Sequence, residues 1–358
     1  MPELPEVERA AAILRRVAVG KRVESVESFE DTIVFSDTSH TEFAAELTAR
    51  EITKAARYGK VFYMELDGDG RMPVLHFGMT GMLQVKGEQP LIYGDKKRNK
   101  PLDTWPPRFT KFILNLSNGE SDTEPTSVAF TDARRLARIR LCAKPLKEPP
   151  ISELGFDPIL SMPIFDDFQT AVTKRKCPIK ALLLNQSFSA GVGNWVADEV
   201  LYHARIHPEH RCNTLDEAHL LSLHTELSNV CKTAVAVDAD SSKFPENWLF
   251  KHRWGKGKKE HNLKLPSGEP ATIKFITVGG RTSAFVTELQ LPPGKIEEER
   301  AEEQDELEVP PADDSSDLTD LESDSAPEPP KKRTKRKTKI SDEQPTEGAR
   351  KRPKRRKN

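Results

Sequence analysis

The alternation of apolar and polar positions divides the chain into successive textures. Leu4, Val7, Ala11 and Leu14 recur at helical spacing, which predicts an N-terminal helix with one apolar face. Pro2 is expected at its first position, where a missing N–H costs nothing. Glu3 and Glu6 fall in its first turn, where the helix dipole favours negative charge. From about Lys21 to Leu141 the runs become short, β-branched and aromatic, as in 61–64, 74–77, 112–116 and 127–130. Turn signals at 67–70 and 117–119 bound them, so an antiparallel sandwich or barrel is expected, with the polar segment 87–107 as a mobile loop. Residues 144–163 carry five prolines and read as a linker. Helical spacing then returns at 179–185 and at 195–204, the latter entered through Gly191-Val192-Gly193-Asn194 with Asn194 as its N-cap. Thr214-x-x-Glu217 predicts a capping box opening a long helix through Leu221, Leu227 and Val230. Residues 244–291 are strand-like again, punctuated by glycines. The fold class is therefore α+β and multidomain. A helix with a β-sandwich spans 2–143, a linker 144–163, a helical domain 164–243, a β-hairpin segment 244–291 and a low-complexity tail 292–358.

Composition sharpens the last boundary. Of 358 residues only 36% are hydrophobic, below the ~45–50% of globular chains even with glycine added. The net charge of −1 conceals a separation: 296–328 holds 15 acids and one base, whereas 329–358 holds 14 bases and three acids. Such a tail is expected to stay disordered in isolation. No apolar run is long enough for a membrane span, and the two early glutamates argue against a secretory signal. Cys142, Cys177, Cys212 and Cys231 form no C-x-x-C pair. Free thiols in a reducing compartment are expected, with neither a disulfide framework nor a zinc site.

The N-terminus carries the candidate chemistry. Methionine before proline favours removal of Met1, which exposes the secondary amine of Pro2. An α-amino group titrates near ~7.7–8, against ~10.4 for lysine. A useful fraction is then an unprotonated nucleophile, able to attack a sugar carbon and form an iminium. Glu3 adjoins that amine and Glu6 follows one turn later; a carboxyl there is a candidate general acid. Taken alone, the same residues also describe a well-made helix start.

Four ordered segments reach further. They are Met1-Pro2-Glu3-Leu4-Pro5-Glu6-Val7-Glu8, Gly78-Met79-Thr80-Gly81, Thr131-Asp132-Ala133-Arg134-Arg135, and Gly191-Val192-Gly193-Asn194 followed by Glu199 and Ile206-His207-Pro208. Together they resemble the formamidopyrimidine-DNA glycosylase and endonuclease VIII family, over roughly residues 2–290. The resemblance implies a bifunctional base-excision repair enzyme that removes oxidised bases from duplex DNA and cleaves the strand by β,δ-elimination. It implies Pro2 as the Schiff-base nucleophile, Glu3 as proton donor to the opening sugar, and Lys60 as the proton donor for β-elimination, with Arg57 competing for that last role. Glu6 and Glu199 are implied as supports of the site. No metal or organic cofactor is expected.

The same resemblance places Met79, Arg134 and Leu136 where the family inserts three side chains into the gap left by a flipped base. Leu136 departs from the phenylalanine of better-known relatives. Asn194 and Lys180 match phosphate-contact positions of the helix–two-turn–helix, and Arg175 matches a DNA-binding lysine; a solvated face is the alternative for this basic stretch. Residues 244–290 lack the cysteines of the family's zinc ribbon. Gly280-Arg281-Thr282-Ser283-Ala284-Phe285 nevertheless resembles its arginine-bearing turn, so a zincless finger with Arg281 at the tip is expected, contacting phosphates and assisting δ-elimination. The compact segment 239–248 leaves little room for the loop that caps 8-oxoguanine in bacterial relatives, and relatives with that loop shortened favour hydantoins. The basic clusters 331–337 and 350–357 resemble nuclear localisation signals. The expected molecule is thus a nuclear monomer acting on double-stranded DNA. A catalytically silent helix–two-turn–helix DNA-binding protein is the second reading, and a third treats the charged tail as the functional element on a passive scaffold.

Overall fold

A computed structural model describes residues 2–89, 104–117, 126–254 and 262–293. The turn expected at 117–119, most of the loop expected at 87–107, the glycines at 255 and 257, and nearly all of the tail lie outside them.

Helix α1 spans Leu4–Val17. It begins two residues later than expected: Glu3 is its N-cap in extended conformation, Pro5 lies within the first turn, and Pro2 precedes the helix. The cause is local. Glu3 donates its backbone N–H to Glu6 Oε2 at 2.9 Å, a reach-back bond that closes the N-terminus one step after Pro2. Along α1 the apolar stripe divides. Leu4 belongs to the core of the helical half, while Val7, Ala10, Leu14 and Val17 belong to that of the β half.

The β half contains two four-stranded antiparallel sheets. One orders β1 (Arg22–Ser28), β6 (Thr110–Ser117), β7 (Thr126–Thr131) and β5 (Met82–Val85) as β1-β6-β7-β5. The other orders β2 (Ile52–Tyr58), β3 (Val61–Leu66), β4 (Met72–His76) and β8 (Arg138–Cys142) as β2-β3-β4-β8. Phe62 and Phe77 from one sheet meet Phe112 and Phe130 from the other, with ring centroids 4.7–6.5 Å apart. This fully buried aromatic layer is what the short aromatic runs of the sequence exist to build. A helix interrupts the expected all-strand region. Helix α2, His40–Leu47, starts at Ser39, whose hydroxyl accepts from the Glu42 amide; the S-x-x-E signature was there to be read.

The proline-rich stretch is no slack connector. Asp157 is fully buried, and its Oδ1 accepts from the Ile159 and Leu160 amides at 2.9 and 3.1 Å. Phe156 forms a parallel bridge with Ser189. Helix α3, Phe165–Thr173, follows within the helical stretch expected over 164–243. Helices α4 (Ile179–Leu184), α5 (Asn194–His203) and α6 (Glu217–Ala236) complete the helical half. Two expected caps move by a residue or two. Gly193, not Asn194, caps α5. Asp216, not Thr214, caps α6, its carboxylate accepting from the His219 amide at 2.8 Å. An ionised carboxylate is the stronger acceptor for an orphan amide. Within the expected strand region 244–291 a short 3-10 turn occupies 249–251, and among the described residues only β9 (Ile273–Val278) and β10 (Arg281–Val286) pair as a hairpin.

Candidate active site

The N-terminus of α1 meets the N-terminus of α5. The Glu3 carboxylate accepts from the Trp195 and Val196 amides, both at 3.0 Å, so the two free N–H groups that open α5 hold one fixed anion. The loop before α5 is shaped for this approach. A Cβ on Gly193 would stand 2.3 Å from the Glu3 carboxyl carbon, and one on Gly191, already at φ 94°, would meet the Leu4 side chain at 2.8 Å. Leu4 donates its amide to the Gly191 carbonyl at 3.0 Å. Gln186 holds the loop from behind, donating to the Val192 carbonyl and accepting from the Gly191 amide.

Lys60 reaches the same place from the β2–β3 turn and donates to the Val192 carbonyl at 2.9 Å. Burial pushes its ammonium below the usual value, while Glu3 and Glu6 oppose that shift and Arg281 adds to it. Glu3, Glu6 and Arg281 thus lie within electrostatic reach of Lys60. Glu6 is buried, and its carboxyl rises to about 7 because of that burial first and the Glu3 charge second. Pro2 is itself buried and directly precedes Glu3.

Arg57 is the competing candidate for the role of Lys60, and the structure gives it other work. Its side chain is 1% exposed and paired with Glu8 and Asp157. The Gly59 amide donates to the same Asp157 carboxylate at 2.8 Å. Arg57 and Asp157 therefore fix the turn that aims Lys60.

His76 is within the same reach of Lys60, unforeseen because it lies within an apolar strand run. It pairs across the sheet with Val61, next to Lys60. Burial and the charges of Lys60, Arg140 and Arg138 lower its pKa to about 4. The Gly78 amide donates to its Nδ1 at 3.0 Å, so the neutral ring keeps its proton on Nε2.

Met79, Arg134 and Leu136 come from two abutting loops. A Cβ on Gly78 would lie 2.3 Å from the Leu136 carbonyl, so only glycine allows the contact. Asp132, fully buried, organises the second loop. It accepts from Thr80 Oγ1 at 2.6 Å and from the amides of Arg134, Leu136 and Ala137 at 3.0, 2.7 and 2.7 Å. Met79 is half-buried, Arg134 is exposed and Leu136 is 40% exposed.

Two expected site residues are structural. Lys180 is fully buried and pairs with Asp198, which also binds Arg253 and accepts from the Ala284 amide. Burial lowers the Lys180 pKa. Its ammonium, which also donates to the Asn194 carbonyl at 3.4 Å, is fully buried against these partners and turned away from solvent, where a phosphate would bind. Glu199 is likewise fully buried, and burial raises its pKa. Its two oxygens accept from the Leu249 and Phe250 amides at 3.0 and 2.7 Å, and His203 Nε2 lies 3.0 Å away. It clamps the segment after α6 onto α5.

Asn194 donates its side-chain amide to the Thr282 carbonyl at 2.9 Å, tying α5 to the hairpin beside Arg281, while its Oδ1 has no partner. Arg281 opens β10 opposite Val278 and is exposed. Arg175 is exposed at the end of α3. All four cysteines are free thiols and lie outside the hairpin. Among the described residues, no group of three or more His, Cys, Asp or Glu side chains is placed to share a metal ion, and no helix is long and apolar enough to cross a membrane.

A β-sandwich joined to a helical domain, with an N-terminal carboxylate seated on a helix start between them, defines a DNA glycosylase architecture. The profile of the formamidopyrimidine-DNA glycosylase N-terminal domain matches residues 1–139, and that of the corresponding H2TH domain matches 154–246. A formamidopyrimidine-DNA glycosylase of Arabidopsis thaliana is 40% identical over 301 residues, 84% of this chain and 74% of its own. One of Bacillus subtilis is 28% identical, covering 81% of this chain and 99% of its own. A solved complex of a Lactococcus lactis Fpg variant with Fapy-dG-containing DNA has a TM-score of 0.65 at 25% identity, covering 81% of this chain and 100% of that one. A structure of MutM with carbocyclic 8-oxo-G-containing DNA gives the same values. The chain belongs to the formamidopyrimidine-DNA glycosylase family, DNA glycosylases of base-excision repair.

Proposed function

We propose that the protein is a bifunctional glycosylase and abasic-site lyase acting as a monomer on double-stranded DNA that contains oxidised bases or abasic sites. The observation that carries this reading is the Glu3 carboxylate held on the α5 amides directly beside Pro2, with Lys60 opposite. With Met1 removed, the Pro2 nitrogen attacks C1′ of the damaged nucleotide. The glycosidic bond breaks and the base leaves with its electron pair; the Glu3 carboxylate takes the proton that the newly bonded Pro2 nitrogen sheds and delivers it to the opening sugar oxygen. The nitrogen lone pair then completes an iminium at C1′. Loss of a C2′ proton expels the 3′ phosphate, and a second elimination expels the 5′ phosphate. Lys60, buried with a lowered pKa, is suited to proton transfer in these steps. Arg281 and the Asn194 end of α5 face the phosphates, and Met79, Arg134 and Leu136 fill the space of the extruded base.

Borohydride reduction on an abasic-site duplex tests the chemistry. Wild type should give a covalent adduct, and Pro2→Gly should give almost none. An adduct of wild-type yield in Pro2→Gly would refute the amine mechanism. No adduct with wild type, despite Met1 removal and DNA binding, would favour the silent binder. The basic clusters at 331–337 and 350–357 carry the proposal of nuclear residence. A fluorescent fusion lacking 296–358 should lose nuclear accumulation while purified protein keeps its glycosylase rate.

A further inference from the structure

Phe109 is an exposed aromatic for which the chemistry above has no use. Its side chain is 52% exposed, and its backbone stands at φ 66°, a left-handed conformation that a bulky residue resists. The Arg108 guanidinium lies over the ring, 5.0 Å from its centroid. Phe109 sits at the mouth of β6. Thr110 pairs with Thr131, and the Asp132 amide donates to the Phe109 carbonyl at 3.0 Å. The Phe109 backbone is thus attached to the loop that presents Arg134 and Leu136. Isolated exposed apolar side chains are common and need no explanation. Here strain, a stacked cation and attachment to the wedge loop coincide at one residue.

We propose that Phe109, with Arg108 over it, is a DNA-contacting residue that stacks on a nucleobase flanking the lesion. An aromatic face and a guanidinium plane are the two protein surfaces on which unstacked bases rest, and extruding a nucleotide disturbs the stacking of its neighbours. Arg108, next to Phe109, and Arg134, on the loop bonded to it, are both exposed, so the patch matches a nucleobase joined to phosphates better than an apolar protein surface. This rests on the duplex-DNA reading above and adds a specificity contact to it.

The test measures equilibrium binding of the full chain to a duplex carrying a tetrahydrofuran abasic analogue, with 2-aminopurine placed beside it. Phe109→Ala should raise Kd about tenfold, Phe109→Trp should restore it to within about twofold, and Phe109→Leu should not. The 2-aminopurine should be quenched by wild type and Phe109→Trp but remain bright with Phe109→Ala. Phe109→Gly separates folding from binding: it relieves the positive φ, so its melting temperature should not fall although its Kd rises. A Phe109→Ala affinity equal to wild type, or rescue by Phe109→Leu as complete as by Phe109→Trp, would overturn the stacking role. Failure of the underlying reading looks different, because wild type would then give no Pro2-dependent adduct with an abasic duplex.

Discussion

Glu6 shows how a single burial sets a proton. Its carboxyl is raised from 4.5 to about 7, first by burial and then by Glu3. Between those values the folded chain holds a proton that the unfolded chain releases, so stability falls as pH rises through this window. The cost is fully present above about pH 7 and is on the order of 3 kcal/mol. Glu6→Gln removes the titration. Its unfolding free energy should therefore change less than that of wild type between about pH 5 and about pH 8, as denaturant melts would record. Equal slopes would mean that Glu6 is ionised in the folded protein. Gly193 makes the companion point with a Cβ instead of a proton. Gly193→Ala puts that atom 2.3 Å from the Glu3 carboxyl carbon. Displacing the carboxylate by about 1 Å should lower single-turnover base release on the order of a hundredfold. A rate near wild type would show that Glu3 need not sit on the α5 amides.

Elements decide what a residue's charge is for. Lys180 and Arg175 belong to one basic stretch of sequence, yet α4 turns the first inward to Asp198 and α3 leaves the second in solvent. Arg175→Ala should reduce the slope of log Kd against log salt by about one, the signature of a lost phosphate contact. Lys180→Ala should leave that slope unchanged and destabilise by about 3–5 kcal/mol, because Asp198 loses half its compensation. A changed slope with unchanged stability would return Lys180 to the DNA surface. The sequence could not make this distinction. Helical spacing marked α4 and α5 to within a residue or two, but the partner of Lys180 lies 18 residues away and Arg253 another 55 beyond that. Short motifs were easier to see: Pro2, Glu3 and the Gly191–Asn194 loop stood out as compact patterns, although the contact between Glu3 and the helix start after that loop spans 192 and 193 residues of sequence. His76 was hidden because a polar residue in a strand run gains its meaning only from neighbours in the sheet.

What joins the β half to the helical half is polar and deeply buried. The described residues all fall within one compact unit, and the links that cross it include Leu4 to Gly191, Glu3 to the α5 amides, Lys60 to Val192, and Arg57 and Gly59 to Asp157. The proline-rich stretch therefore acts as a clasp, since Asp157 within it grips both Arg57 and the Gly59 amide. Each half has its own apolar core, so each retains a reason to stay folded if the clasp opens. Asp157→Ala leaves Arg57 with Glu8 alone and frees the Gly59–Lys60 turn. Breaking a buried pair from one side costs about 3–5 kcal/mol, and that loss falls on the junction between the cores. Wild type should melt in one calorimetric transition. Asp157→Ala should broaden or split it, and should lower the yield of borohydride adduct because Lys60 is no longer aimed at the site. If the variant melts in a single sharp transition at a lower temperature, the halves are coupled by apolar contact, and α1, which feeds both cores, is the true link.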